Sequence, residues 1–198
     1  MTSKISSKGQ GYEKALAEAE QIFKEIGLEY LDLLLIHGPS VDGLEKDDPK
    51  VAEIRKGTWQ ALEKLKDEGE VKDIGVSNYS VTHLKDLFTY CKHKPVINQI
   101  EIHPLCYDEE IIDFTKQHGI VVEAYSSLAK GRTKLLELDL IKELSNKYKK
   151  TPAQICLKWG VQHGFVIIPK SQNEERMKEN IDLFDWQIEP EDIERMKS

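Results

Sequence analysis

The chain reads Leu31-Asp32-Leu33-Leu34-Leu35-Ile36-His37 over a short apolar run that ends in a histidine. Such a run is too short for a helix of this hydrophobicity and therefore predicts a buried strand. Four similar runs follow at residues 73–78, 96–103, 120–127 and 165–171. Segments with helical spacing of apolar residues alternate with them, at 11–26, 49–68, 81–91, 108–117, 135–148, 151–162, 173–182 and 190–196. The alternation predicts parallel strands joined by helices, which is an α/β fold.

Two parallel architectures fit this alternation, a doubly wound sheet and a (β/α)8 TIM barrel. A doubly wound sheet that binds a dinucleotide has a glycine-rich turn after an early strand, and the motif GxGxxG does not occur in the chain. A barrel instead collects reactive side chains at the carboxyl ends of many strands. The predicted strands carry polar residues at or near those ends, namely His37, Ser77, Asn78, Gln99, Glu101, His103, Tyr125, Ser126, Lys170 and Ser171. We therefore predict a barrel of parallel strands, formed by one domain over residues 1–198.

The composition is that of an ordinary globular protein, with 39% hydrophobic residues and a formal net charge of −7 over 198 residues. This acidic balance gives no general attraction to nucleic acid or to an anionic membrane, so any phosphate binding must be local. No stretch approaches the roughly 20 apolar residues of a membrane span, and residues 1–10 lack the apolar centre of a signal peptide. The chain has three cysteines, Cys91, Cys106 and Cys156, and they lie far apart. Their odd number argues against a framework of disulfides and favours a reducing, cytoplasmic location. No spacing of His, Cys and Asp indicates a metal site.

A cluster near the C-terminus has the composition of an anion site. The apolar run 165–171 ends in Lys170 and Ser171, a helical segment begins directly afterwards, and Arg176 lies about one turn into it. Lysine supplies a point charge, serine a hydrogen bond and arginine a planar fork, and the helix start adds backbone N–H groups. A phosphate monoester uses all of these. A strand followed by a solvated, charged helix is the simpler interpretation of this segment taken alone, and the segment by itself leaves both interpretations open.

The other polar strand ends allow a functional and a structural interpretation each. His37 projects where a histidine can transfer a proton or polarise a carbonyl, or it is a structural histidine. Ser77 and Asn78 can hold a planar amide, or they form an ordinary turn. Gln99 interrupts an apolar strand, and burial there demands a partner from the protein or from a ligand. Tyr125 can stack on a flat heterocycle, or it is a core aromatic.

Taken together, the motifs at the strand ends resemble those of the aldo-keto reductase family, in the group that contains prostaglandin F synthases and 2,5-diketo-gluconate reductases. They lie at residues 34–39, 74–79, 97–104, 124–128 and 168–171, followed by Arg176, Glu179 and Asn180, and their order and spacing agree throughout. The resemblance runs from about Thr2 to Met196. It implies a (β/α)8 barrel that reduces small-molecule aldehydes and ketones to alcohols with NADP(H) and without a Rossmann domain.

The resemblance also implies a role for each matching residue in cofactor binding. Ser77, Asn78 and Gln99 would hold the nicotinamide carboxamide, and Tyr125 would stack beneath the nicotinamide ring. Ser126 and Leu128 would line the path of the pyrophosphate. Lys170, Ser171 and Arg176 would bind the 2′-phosphate of the adenosine ribose, with Glu179 and Asn180 at the adenine.

Catalysis in the family uses a tyrosine, a lysine, an aspartate and a histidine. His37 matches the histidine, and Lys4 matches the lysine at the end of a barrel strand. The tyrosine and the aspartate belong to a segment that would precede Met1, and Gly38 stands where the family has tryptophan. We therefore expect a barrel truncated at its N-terminus, without the first strand and helix and the N-terminal hairpin, and an impaired activity. Its open edge would favour self-association or binding of a complementing segment. The alternative is a catalytically inactive NADP-binding or scaffold protein derived from this family.

Overall fold

The computed structural model describes residues 1–131 and 133–197, and within them strands and helices alternate. The strands are β1 (Thr2–Ile5), β2 (Leu31–Ile36), β3 (Val71–Ser77), β4 (Ile97–Glu101), β5 (Val121–Tyr125) and β6 (Val166–Ile167). The helices are α1 (Tyr12–Ile26), α2 (Pro49–Asp67), α3 (Val81–Phe88), α4 (Glu109–Gln117), α5 (Asp139–Tyr148), α6 (Pro152–Gln162), α7 (Glu174–Ile181) and α8 (Pro190–Arg195), with short 3-10 turns at Ala129–Gly131 and Leu135–Glu137. The strand order in the sheet is β1-β2-β3-β4-β5-β6. The predicted parallel α/β class is confirmed.

The boundaries of the elements differ from the sequence prediction mainly at the last strand. The run 165–171 was predicted as a strand that carries Lys170 and Ser171 at its end, but β6 stops at Ile167. Pro169 explains the early stop, because proline has no N–H to donate to a neighbouring strand. Lys170 and Ser171 therefore lie in the connection between β6 and α7. At the other end of the chain β1 forms around Lys4, although its composition gave no strand signal.

The chain forms two compact units. The first unit contains Met1–Asn98 and Phe114–Ile120, and the second contains Gln99–Asp113 and Val121–Ser198. Strand β4 contributes its first two residues to the first unit and the remainder to the second. The expectation of a single domain over residues 1–198 stays a prediction.

The first unit is built on the parallel strands β1, β2 and β3. Lys4 pairs with Leu35, and Leu35 pairs with Gly75, so the three strands are in continuous register. A Cβ atom at Gly75 would lie 2.7 Å from Leu35 Cδ2 and 2.8 Å from the Ile97 carbonyl oxygen. Only glycine allows this close approach of neighbouring strands.

The second unit is built on β5, β6 and a buried helix, α6. Glu123 pairs with Val166 and Ala124 with Ile167, and these are the register pairs between the two strands. Helix α6 begins with the predicted cap, because Thr151 and Gln154 bond reciprocally in a capping box. The Gln154 Nε2 also donates to the carbonyl oxygens of Glu179 at 3.3 Å and Asp182 at 3.2 Å. These bonds tie the C-terminal end of α7 to α6.

Among the described residues, no helix combines the length and the apolar composition that crossing a membrane requires.

Candidate functional site

In the first unit, strand register places three predicted site residues on one face of the sheet. Lys4 is paired with Leu35, and His37 comes two residues after Leu35. Ser77 comes two residues after Gly75, which is also paired with Leu35. Because side chains alternate between the two faces of a strand, Lys4, His37 and Ser77 belong to the same face. The structure thus brings together Lys4 and His37, the two residues predicted to be catalytic, at the carboxyl ends of adjacent strands.

Two amide side chains fix the backbone around His37. The Asn78 Nδ2 donates to the His37 carbonyl oxygen at 2.9 Å, and Asn78 itself adopts a left-handed backbone conformation with φ of 59°. The Gln10 Nε2 donates to the carbonyl oxygens of Gly38 at 2.9 Å and Ser40 at 2.6 Å. Gln10 is buried and was not predicted from the sequence. Asn78 therefore supports the turn after β2 in this structure, which is the structural role that the sequence left open.

In the second unit, a cavity of about 590 Å³ brings together most of the predicted cofactor-binding residues. It is lined by the predicted Leu128, Lys170, Ser171, Arg176, Glu179 and Asn180, and by Leu136, Ala153, Gln172 and Asn173, which the sequence did not single out. Apolar and polar side chains thus line one concave surface, as is typical of a small-molecule site.

The start of α7, which lines this cavity, is held by hydrogen bonds of Asn173. The Asn173 Oδ1 accepts the backbone N–H of Arg176 at 3.0 Å, and the Asn173 N–H donates to Ser171 Oγ at 3.1 Å. An asparagine before a helical segment is an ordinary capping signal, and it could have identified this residue from the sequence. Within residues 1–131 and 133–197, no ion pair involves Lys170 or Arg176. The two cations are therefore not neutralised by the described residues and favour an anion.

The carboxylate of Glu179 is held at the wall of the same cavity by helix α6. Its Oε1 accepts a hydrogen bond from the hydroxyl of Thr151, which is the N-cap residue of α6. This contact orients the Glu179 side chain without ligand. A fixed carboxylate acceptor beside two unneutralised cations suits a ligand that carries both an anionic group and hydrogen-bond donors.

A second cavity of about 670 Å³ shares Leu128, Leu136, Lys170 and Arg176 with the first, so the two form one continuous groove. Its walls also include Tyr125, Ser126, Lys130 and Lys134. The Lys130 ammonium lies 5.1 Å from the centre of the Tyr125 ring. Burial raises the pKa of the Tyr125 hydroxyl. The groove therefore runs from an aromatic ring, past several cations, to the start of α7.

The loop after β5 has unusual backbone geometry on the wall of this groove. Ser126, Ala129 and Lys130 have φ values of 53°, 54° and 52°, a region that residues other than glycine rarely adopt. The Ser126 hydroxyl is buried and has no hydrogen-bond partner within the described residues. A strained loop with an unpaired buried hydroxyl is typical of a site completed by a ligand.

Gln99 has a protein partner that the sequence did not reveal. It is 5% exposed, and its Nε2 donates to Glu123 Oε2 at 3.0 Å. Glu123 is 8% exposed. A carboxylate in the apolar run 120–127 indicates that Glu123 needs a polar partner, just as Gln99 does, but it does not indicate which residue the partner is.

Comparison with known proteins gives a family match over almost the whole chain. The model of the Aldo/keto reductase family matches residues 2–198. The chain is 41% identical over 196 residues to glyoxal reductase of Bacillus subtilis, covering 99% of this chain and 66% of that protein. It is also 41% identical over 197 residues to 9,11-endoperoxide prostaglandin H2 reductase of Trypanosoma cruzi, again covering 99% and 66%. The chain thus spans about two thirds of the length of the curated relatives it matches.

Solved structures give the same result for the fold. An aldo-keto reductase from a Medee basin deep-sea metagenome library superimposes with a TM-score of 0.91 at 35% identity, covering 100% of this chain and 69% of that one. An aldo-keto reductase of Bombyx mori, solved in complex with NADP, superimposes with a TM-score of 0.86 at 31% identity, covering 99% and 66%. The predicted fold class is confirmed by these likenesses.

Proposed function

Because the chain belongs to the aldo/keto reductase family, we propose that it binds NADPH and reduces small-molecule aldehydes and ketones to alcohols. The observation that carries the proposal is the cavity at the start of α7, where Lys170 and Arg176 lie without an ion-pair partner among the described residues. A cytoplasmic location belongs to the same proposal, since Cys91, Cys106 and Cys156 are all unpaired and free thiols persist in a reducing compartment.

The residues of the groove fit NADPH along its length. Lys170, Ser171 and Arg176 would bind the 2′-phosphate, because a point charge, a hydroxyl and a planar fork together match a phosphate monoester. Glu179 and Asn180 would contact the adenine from the wall of the same cavity. A cofactor with only a ribose hydroxyl at this position would leave both cations unpaired. The proposal therefore includes a preference for NADPH over NADH.

The middle and the far end of the groove fit the remaining parts of the cofactor. Ser126 and Leu128 would line the path of the pyrophosphate, where the unpaired Ser126 hydroxyl could donate to a phosphate oxygen. Tyr125 would stack beneath the nicotinamide ring, and Gln99 would contact its carboxamide. The family motifs assign Ser77 and Asn78 to cofactor binding as well.

Two residues of the first unit would act on the carbonyl substrate. When bound, NADPH supplies the hydride that reduces the carbonyl carbon. His37 would orient the carbonyl oxygen by a hydrogen bond. Because the family's catalytic tyrosine has no match within residues 1–198, the proton that this oxygen takes up would come from His37 or from water, and the nearby Lys4 ammonium would favour its release. A positioned general acid contributes about 10²–10⁴-fold to such a reaction. The shared face of Lys4 and His37 supports these paired roles.

The cofactor preference is tested by Arg176→Ala, with Lys178→Ala as the matched control. Both residues lie on α7, but Lys178 pairs with Glu174 and does not line the cavity. Because a charge-assisted bond to phosphate is lost, we expect Arg176→Ala to weaken NADPH binding by roughly 10–100-fold and NADH binding by less than about threefold. Titration calorimetry with both cofactors measures this. Equal losses for NADPH and NADH would remove Arg176 from the 2′-phosphate site.

The reaction itself is tested by following NADPH oxidation in the presence of a reactive aldehyde. Glyoxal, which the name of the Bacillus subtilis relative gives as its substrate, is the first aldehyde to use. NADPH binding together with turnover supports the reductase. NADPH binding without turnover would instead support the alternative that the sequence left open, an inactive NADP-binding or scaffold protein.

A further inference from the structure

We propose that Glu123 is a positioning residue that fixes the amide of Gln99 for contact with the nicotinamide carboxamide. The inference rests on the proposed function, because it requires Gln99 to contact this cofactor. Glu123 lies outside every motif on which the family resemblance was based. Its role follows from its contact with Gln99, its burial and its place on β5.

The contact is a buried hydrogen bond of ordinary length between β4 and β5. The Gln99 Nε2 donates to Glu123 Oε2 at 3.0 Å, and the two residues are 5% and 8% exposed. Withdrawing a carboxylate from water is costly unless polar partners replace the lost hydration. A leucine or valine would fill this position of β5 at no such cost. The presence of a carboxylate there therefore points to a requirement for its hydrogen-bonding capacity.

The place of Glu123 on β5 puts it on the same face as the proposed nicotinamide platform. Glu123 precedes Tyr125 by two residues, and residues two apart in a strand share a face. Val122 and Ala124, which belong to the opposite face, are both almost fully buried and apolar. Glu123 and Tyr125 thus share one face of β5, and Glu123 bonds to Gln99, the other proposed nicotinamide contact, from the position two residues before Tyr125.

The hydrogen bond also determines which end of the Gln99 amide faces the ligand. A carboxylate offers acceptors only, whereas a glutamine amide has an NH2 donor at one end and an oxygen acceptor at the other. Because the NH2 is directed to Glu123, the Oε1 is directed away from it. An acceptor in that orientation matches the NH2 of the nicotinamide carboxamide. Without Glu123 the amide could present either end, and part of the binding free energy would be lost in orienting it.

Two ligands separate this role from a general effect on the fold. NADPH contains the nicotinamide, whereas 2′,5′-ADP contains only the adenosine part with its phosphates. Since about one hydrogen bond is lost, we expect Glu123→Leu to weaken the binding of NADPH by roughly tenfold and the binding of 2′,5′-ADP by less than about twofold. Gln99→Leu should give the same pattern, and the double variant should be no weaker than either single variant. Titration calorimetry on the full chain measures all of these affinities.

A swap of the two side chains tests the pair without removing its hydrogen bond, in case Glu123→Leu does not fold. Gln99→Glu alone places two carboxylates in contact and should weaken the binding of NADPH by more than about tenfold. Adding Glu123→Gln restores one donor and one acceptor and should recover most of that loss. Val122→Ala, on the opposite face of β5, is the control for a change in packing and should leave the ratio of the two affinities unchanged.

Three results would overturn the role of Glu123. They are an unchanged NADPH affinity in Glu123→Leu, an equal loss for NADPH and 2′,5′-ADP, and a swap variant no better than Gln99→Glu alone. Failure of the unaltered chain to bind 2′,5′-ADP is a different outcome. It would overturn the proposed function, and the positioning role with it.

Discussion

The two units of the chain position their functional side chains in different ways. In the first unit, continuous register over β1, β2 and β3 places Lys4, His37 and Ser77 on one face. In the second unit, β6 has only two residues, and the proposed cofactor groove is formed by the loop after β5 and the start of α7. Strand register fixes a side chain through the backbone, whereas a loop depends on individual hydrogen bonds. The first unit should therefore be sensitive to packing and the second to the loss of single polar contacts.

The largest expected effect is on packing in the first unit, through Gly75→Ala. A new Cβ would lie 2.8 Å from the Ile97 carbonyl oxygen, and backbone cannot yield as a side chain does. We expect the free energy of unfolding to fall by about 2–3 kcal/mol, at the upper end of overpacking effects. The control in the second unit is Gly160→Ala, where the new Cβ would lie 3.1 Å from Ile167 Cγ2.

Gly160→Ala should change the free energy of unfolding by less than about 1 kcal/mol. The methyl group of Ile167 can shift, and alanine is a better helix former than glycine. Urea unfolding of the two variants gives both values. If Gly160→Ala destabilises the chain as much as Gly75→Ala, the second unit is packed as tightly as the first and the comparison fails.

Two aspartates, one in each unit, allow a comparison of a buried and an exposed charge pair. Hydrogen bonds from neighbouring lysines lower the pKa of both carboxyl groups to about 2. Asp192 in the second unit is 4% exposed and accepts bonds from Lys147 Nζ and Tyr148 OH, both at 2.6 Å. Asp32 in the first unit is 49% exposed and pairs with Lys72. Because each folded-state pKa lies below the ordinary value, the stabilisation is present above about pH 4 and is lost as the pH falls toward about 2.

Asp192→Asn and Asp32→Asn should therefore change the free energy of unfolding by different amounts at neutral pH. Asp192→Asn should lower the free energy of unfolding by at most about 2 kcal/mol and flatten its decline between about pH 4 and pH 2. Asp32→Asn should have a much smaller effect, because solvent screens an exposed pair. Urea midpoints at several pH values test this order. A larger loss for Asp32→Asn would show that exposed charge pairs dominate the acid stability of the chain.

The sequence predicted the parts of the molecule that depend on the strand and helix pattern. The positions of the polar residues at the ends of β2 and β3 were predicted correctly, because each strand is a short apolar run and the polar residues mark where it ends. The cap at Thr151 was also predictable, since proline at Pro152 and an acceptor three residues on are local signals. The prediction that Lys170 and Ser171 lie at the end of a strand is wrong, because Pro169 has no N–H to donate to a neighbouring strand and β6 stops at Ile167.

Other parts of the candidate site could not be predicted from local sequence. The bond between Gln99 and Glu123 joins residues 24 positions apart, and neither residue indicates its partner. Gln10, which holds the loop after His37, is one polar residue among many in a polar N-terminal segment. Lys130 is on the wall of the groove only because the loop after β5 adopts left-handed conformations at residues other than glycine. Such contacts depend on the tertiary structure, and no periodic pattern signals them.

The smallest expected effect concerns the polar contacts that hold α7, through Gln154→Leu. Gln154 is buried, accepts the N–H of Thr151 at 3.0 Å and donates to backbone carbonyls at the end of α7. Water can replace part of these bonds, so we expect a loss of about 1 kcal/mol in stability. Because α7 carries Arg176 and Glu179, NADPH should also bind roughly threefold to fivefold more weakly, which is a loss below about 1 kcal/mol.

Gln162→Leu is the matched control, since Gln162 lies on the same helix and also makes two bonds to backbone. Its Nε2 donates to the Ile188 carbonyl oxygen at 2.8 Å, and its Oε1 accepts the Ile188 N–H at 2.7 Å. This variant should lose a similar amount of stability and keep its NADPH affinity, because its contacts do not involve α7. Thermal unfolding and cofactor titration of both variants separate the two effects. If both lose NADPH affinity equally, general loosening of the second unit explains the change, and the groove does not depend on the individual contacts between α6 and α7.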